Sequence, residues 1–236
     1  MKSILNLCQE VADLAAVKQP ESLFLSKSMS DEIFLSVAKS ALESLLRYGD
    51  WPELIRETVL QTYPNRYDYP LEEFCPDFYS LIQNTIYIKD KQEKIIGAIT
   101  PQQWMHSKYF YDENNQVKFQ IQNGMIKFLS LPDYPLKIVF QYRSNVICFT
   151  PKTWQFKSTL TSDNDIPVFD EYLVKLGILW RWLKRSGLDY SEEYAEYERE
   201  LKKKFSVSYC AQDIPLDYSD EFPFSQGVKI NVKVIH

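Results

Sequence analysis

The sequence predicts an α+β protein, with helices from the N- and C-terminal parts packed as a bundle and an antiparallel β-sandwich or small barrel inserted between them. Three observations carry this expectation. Apolar residues recur at three- and four-residue spacing towards both ends, from Ile4 to Tyr48 and from Phe169 to Phe205. Between Arg56 and Thr150 the period shortens to about two, and β-branched and aromatic residues alternate with polar ones. Turn signals punctuate this middle part closely, Asn123-Gly124 being the strongest hairpin signal in the chain. The expected division is a helical domain from residues 1–52 and 163–205, a β-rich inserted domain over 53–162, and a C-terminal extension or arm over 206–236.

Residues 2–17 form the first expected helix, with Ile4, Leu7, Cys8, Val11, Leu14 and Ala15 on one side and Pro20 closing the segment. Ser30 or Asp31 caps the second, which runs to Tyr48 along a stripe of Ile33, Phe34, Val37, Ala38, Ala41, Leu45 and Tyr48. Gly49 ends it, and Trp51 beside that glycine seals the end of a core. Strands are expected over 57–63, within 78–89 and over 94–100, with Pro64, Asn65, Asp68 and Pro70 supplying turns. Thr100-Pro101-Gln102-Gln103 joins an N-cap, a proline at the first helical position and a glutamine three residues after the cap, so a helix should reach Tyr109. Strands over 117–121, 125–131, 136–142 and 146–150 complete the middle.

A helical hairpin follows. Asp163 and Asp165 supply its polar cap region, Pro167 falls in the opening turn, and Phe169, Tyr172, Leu173, Leu176, Leu179, Trp180 and Leu183 share one wide face. Gly187 suits a left-handed end after Lys184 and Arg185, whose charges complement the helix dipole. Asp189 with Glu192 has capping-box spacing for the second helix, whose stripe is Tyr190, Tyr194, Tyr197, Leu201 and Phe205, and Glu198–Lys202 and Glu200–Lys204 are spaced to pair. Trp180 and Trp182 point to different sides of the first helix, so it is contacted on more than one face; they are core residues first and candidate assembly contacts second. The extension carries further candidate contacts in Tyr209, Phe222 and Phe224. Its segment Gly227–Ile235 then places Val228, Ile230, Val232 and Val234 on one side of a strand that needs a sheet to join.

Composition narrows the function. With 27 cations against 32 anions the net charge is −5, which argues against general nucleic-acid binding because phosphate neutralisation needs clustered Lys and Arg. Sixteen Tyr, 14 Phe and 5 Trp favour half-buried faces with polar tips, a composition that suits an interaction protein. Cys8, Cys75, Cys148 and Cys210 are widely spaced and read as free thiols in a reducing compartment. The opening MKSILNLCQEVADLAA is interrupted by Gln9, Glu10 and Asp13 too early for a signal peptide, so the chain is expected to stay in the cytoplasm that makes it. Only His106 and His236 are present, phosphate loops and dinucleotide fingerprints are lacking, and Asp163-Asn164-Asp165 lacks the glycine and distal glutamate of a calcium loop. No catalytic, cofactor-binding or metal-ligating residue is nominated.

Tyr48-Gly49-Asp50-Trp51, Tyr69-Pro70-Leu71, Pro76-Asp77-Phe78, Thr100-Pro101-Gln102-Gln103-Trp104, the Gly124 hairpin, Asp163-Asn164-Asp165-Ile166-Pro167, Leu176-Gly177-Ile178-Leu179-Trp180-Arg181-Trp182 and Gly187-Leu188-Asp189-Tyr190 follow one another in an order that resembles the head-to-tail adaptor (connector) proteins of phages. These are related to the tail tubular protein A of short-tailed phages. The likeness covers Asp31 to Phe205 and none of its motifs is catalytic. It implies a virion structural protein, made in the host cytoplasm, that forms a dodecameric ring beneath the portal and continues the DNA channel to the tail. The implied partners are the portal protein, tail or nozzle proteins and further copies of the chain; DNA passes without sequence-specific binding, and no membrane is involved. The strand-patterned extension would then complete the chain's own sheet or join that of another subunit or the portal. The alternative is a ligand- or carbohydrate-binding β module of a phage particle that stacks its ligand on Trp104, Tyr109, Tyr111 or Trp154.

Overall fold

The computed structural model describes residues 1–25, 28–110 and 116–209, the last four of these in their backbone alone. Helix α1 (Ile4–Leu14) opens on Ser3, whose hydroxyl accepts the Asn6 N–H, and buries Ile4, Leu7, Cys8, Val11 and Ala12. Leu14, expected on that stripe, is exposed because the helix ends at it and Ala16 turns the chain away with φ 53°. Helix α2 (Met29–Tyr48) starts on Ser28, earlier than the expected Ser30 or Asp31, and Asp31 and Glu32 face the positive end of its dipole from the first turn.

Gly49 does end α2, but with φ 177° it is extended and not left-handed. Its requirement is steric. A Cβ there would stand 2.6 Å from the Phe205 ring, so the glycine lets two segments far apart in sequence touch. Trp51 closes the same end: it is buried, donates its indole N–H to the Leu45 carbonyl at 2.6 Å, and meets Phe169 and Phe205 edge-on.

The middle of the chain forms strands β1 (Ile55–Gln61) and β2 (Asp68–Pro70), a short helix α3 (Leu71–Phe74), then β3 (Phe78–Leu81), β4 (Tyr87–Ile88) and β5 (Glu93–Lys94). Helix α4 (Pro101–Tyr109) follows, with both halves of the predicted capping box between Thr100 and Gln103 in place. Strands β6 (Lys118–Gln122), β7 (Met125–Leu129), β8 (Lys137–Ser144), β9 (Cys148–Thr150), β10 (Gln155–Lys157) and β11 (Ile166–Pro167) lead to helices α5 (Glu171–Arg185) and α6 (Ser191–Tyr209).

The protein is therefore mixed α and β, with three antiparallel sheets among the described residues. In the largest, β8 lies between β1 on one edge and β3 and β4 on the other, β5 continuing from β4. β8 alternates buried and less buried residues along its length, as a strand with one face on a core must. The second sheet has the order β2-β7-β6, its hairpin turning at Asn123 and Gly124, both at positive φ. That is the backbone an Asn-Gly turn supplies at least strain. The third, β10-β9-β11, is small.

Several expectations are corrected. Asp68 and Pro70, read as turn residues, pair with β7 in β2, a long-range partnership that local turn chemistry does not announce. The strand expected over 94–100 is only the end of β5, followed by a single parallel bridge from Ile96 to Lys118. Pro167 lies in β11 and not in a helix, and the cap of α5 is Asp170, which accepts the N–H groups of Tyr172 and Leu173. Gly187, at φ 72°, ends α5 as its spacing predicts.

Buried apolar side chains fall into two clusters. One joins α1, α2, α5 and α6 with Leu23, Trp51, Leu54, Ile147, Cys148, Leu160 and Phe169; α5 is its central helix and touches α1, α2 and α6. The other is shared by the two larger sheets, with Leu60, Ile138 and Phe140 from one and Tyr69, Phe119, Ile126 and Phe128 from the other. Residues of β9 and its flanks, inside the stretch expected to be β-rich, thus pack with the helices.

Candidate functional site

The carboxylates with the most polar contacts are committed to the framework. Asp165 is fully buried and accepts from Lys157 Nζ at 2.7 Å, Thr150 Oγ1 at 3.0 Å and the backbone N–H groups of Thr161 and Ser162 at 2.8 and 3.0 Å. Burial alone would raise its pKa, but these donors outweigh it and hold the carboxyl below its ordinary value. Asp163 accepts from the Leu23 N–H and the Ser22 hydroxyl, and its backbone carbonyl, like that of Asp165, receives an N–H from the start of α1. Asp77 takes hydrogen bonds from the Tyr142 and Ser144 hydroxyls at 2.7 and 2.6 Å. Among the described residues no group of three His, Cys, Asp or Glu side chains is placed to hold a metal ion.

Cys8, Cys75 and Cys148 are buried free thiols. Burial pushes their pKa values up to about 12, 11 and 12 respectively, so they stay protonated and unreactive at neutral pH. His106 lies on exposed α4 and stacks on Phe110 at 4.7 Å.

Both nominated tryptophans of α5 are half-buried against the helical cluster. Trp182 stacks on Phe34 of α2 at 5.8 Å, while Trp180 meets Tyr190, Tyr194 and Tyr197 on the α6 side. The two do face different neighbours. The side chain of Tyr209 and all of Phe222, Phe224, Val228, Ile230, Val232 and Val234 lie outside the described residues, as do Tyr111 and Cys210.

Two aromatic surfaces stand free of the cores. On the β9–β10 turn, Trp154 is 68% exposed and lies flat on Phe149 at 5.3 Å with 3° between the rings; Phe156, 52% exposed, adjoins them. On α4 no residue is buried: Met105, Tyr109 and Phe110 are all more than half exposed, and Trp104 is half-buried. Phe149 and Phe156 were missed from the sequence because the short strands that align them with Trp154 carry too few residues to show a period.

A third feature is a groove of about 480 Å³ between α2 and α5, lined by Ser36, Val37, Ser40, Trp180, Arg181, Lys184 and Arg185. The Arg181 guanidinium lies 4.2 Å from the Trp180 ring and donates to the Gly177 carbonyl, and Arg185 reaches the Ser36 hydroxyl at 3.4 Å. Among the described residues none of the three cations forms an ion pair. Their spacing, with residues 184 and 185 three and four positions after 181, was the available sequence signal.

A scan against protein-family models finds no match for this chain, and a search of curated proteins finds none. Among the described residues no helix is long and apolar enough to cross a membrane.

Proposed function

We propose that the chain is a structural protein of a phage particle, a head-to-tail adaptor that forms a ring below the portal and continues the DNA channel to the tail. The observation that carries this reading is the contrast between its polar and aromatic groups. Asp77, Asp163 and Asp165 are tied into the framework, while Met105, Tyr109, Phe110, Trp154 and Phe156 stand in solvent. That is the surface of a protein that works by contact.

The motifs behind the resemblance also fall at structural joints. Tyr48-Gly49-Asp50-Trp51 closes α2 onto Phe205, Tyr69-Pro70-Leu71 links β2 to α3, and Thr100 to Gln103 is the capping box of α4. In this reading α1, α2, α5 and α6 act as a bundle, residues 1–52 and 163–205, and the two larger sheets as the inserted sandwich or small barrel, within 53–162. A net charge of −5 keeps DNA from sticking as it passes. A ring of identical subunits, twelve if it follows the family it resembles, needs one patch to meet a different patch on the neighbour, and the exposed aromatic surfaces supply candidates.

Mass measurement of the purified chain with and without portal rings tests the proposal. The free chain should be monomeric or weakly associated and should join the portal as a closed ring, because the template brings subunits together. A stable free dodecamer in dilute solution, or indifference to the portal, would contradict it.

A carbohydrate-binding role has one specific observation in its favour, the exposed Trp154 ring held flat on buried Phe149. Saturable sugar binding that is lost in Trp154→Ala, in a protein that ignores the portal, would establish it instead.

A further inference from the structure

The groove between α2 and α5 is a concentration of positive charge on an acidic protein. Arg181, Lys184 and Arg185 line it without ion-pair partners among the described residues, the Trp180 face and Val37 give it an apolar wall, and Ser36 and Ser40 add hydroxyls. Among the described residues the buried Trp180 indole N–H has no acceptor. Glu32 and Glu43 flank the groove farther along α2, where Glu43 is held by Arg47 at 3.8 Å. The occupant such a surface selects is a segment with carboxylates for the cations and aromatic rings for the tryptophan.

One stretch of this chain has that composition. Between Asp213 and Phe224 there are four carboxylates, Asp213, Asp217, Asp220 and Glu221, together with Tyr218, Phe222 and Phe224, and no cation. We propose that the α2–α5 groove binds the segment Asp213–Phe224 of a neighbouring copy of the chain, linking subunits head to tail around the ring.

The neighbour's segment is favoured over the chain's own by where that segment starts. Lys204 pairs with Asp170 at 2.8 Å, so the C-terminal part of α6 lies at the beginning of α5, whereas the groove lies at the end of α5. A 15-residue helix is about 22 Å long. Asp213 is four residues beyond Tyr209, a reach of about 14 Å when fully extended. Asp213 of the chain's own segment therefore falls short of its own groove and only the later carboxylates of that segment can reach it, whereas the segment of an adjacent subunit can engage from Asp213 onward. A patch that binds a different patch on the next copy is the heterologous contact that generates a ring.

The inference rests on the ring reading in taking the neighbour to be an identical copy. Its test uses full-length chains in which Cys210→Ser removes the tail thiol, one differently tagged chain carrying Ser36→Cys in the groove and the other Ser219→Cys in the segment. These positions leave every charge in place. Mild oxidation, with and without portal rings, should give a covalent heterodimer about tenfold faster than Lys89→Cys paired with Ser219→Cys. Adding Lys184→Glu and Arg185→Glu, or high salt, should abolish the difference.

Heterodimers no faster than the control pair in both mixtures would overturn the proposal. So would a chain carrying both cysteines that closes only on itself, since its own segment would then occupy the groove. Portal binding is read by mass in the same mixture, so loss of the heterodimer with portal binding intact sinks this inference alone. Portal indifference with the heterodimer formed sinks only the portal reading.

Discussion

Asp165 shows how a residue that looks chemical in sequence becomes structural in the fold. It receives hydrogen bonds from four residues in three segments, and its partner Lys157 is itself only 15% exposed. Its folded pKa is lowered, so its contribution to stability is present above the ordinary value of 3.8 and is lost as the pH falls through the folded value. Asp170, where burial is outweighed by hydrogen bonds from Lys204 and the Leu173 N–H, adds to the same acid window. Asp165→Asn should cost about 3 kcal/mol at neutral pH because it leaves Lys157 without its counter-ion, and it should flatten the loss of stability below about pH 4. Urea unfolding across pH measures both. An unchanged acid limb would mean that other carboxylates control it.

At the scale of elements, the sequence is most legible where periodicity and end chemistry agree. α2 lies close to its predicted span, α6 runs four residues past its expected end at Phe205, α4 keeps its capping box, and the Asn123-Gly124 turn joins the expected strands. It is least legible where a partner far along the chain decides the outcome. β2 exists because β7 pairs with it, Pro167 is drawn into a strand by β9, and Gly49 is required by Phe205. The groove was hidden for a similar reason, since Ser36 and Ser40 come from α2 and the cations from α5. Gly49→Ala tests one such long-range dependence. The added methyl meets the Phe205 ring, so the substitution should cost about 1–3 kcal/mol alone and clearly less in a Phe205→Ala background. Equal costs in both backgrounds would show that the ring is not what the glycine accommodates.

For the whole molecule, both hydrophobic clusters draw, among the described residues, on side chains up to Phe205. In the proposed ring, deleting Ser208–His236 should leave a folded chain with a cooperative unfolding transition that no longer joins neighbours or the portal. Circular dichroism and sedimentation separate the two effects, and a truncated chain that unfolds or aggregates as a monomer would place the segment in the core instead. The adaptor reading gives the protein one definite position in a particle. Cryo-electron microscopy of phage particles produced with this chain decides between the readings: in the adaptor reading its density is a ring beneath the portal, around the DNA channel. Density in a tail fibre, or a virion that lacks the chain, would contradict it.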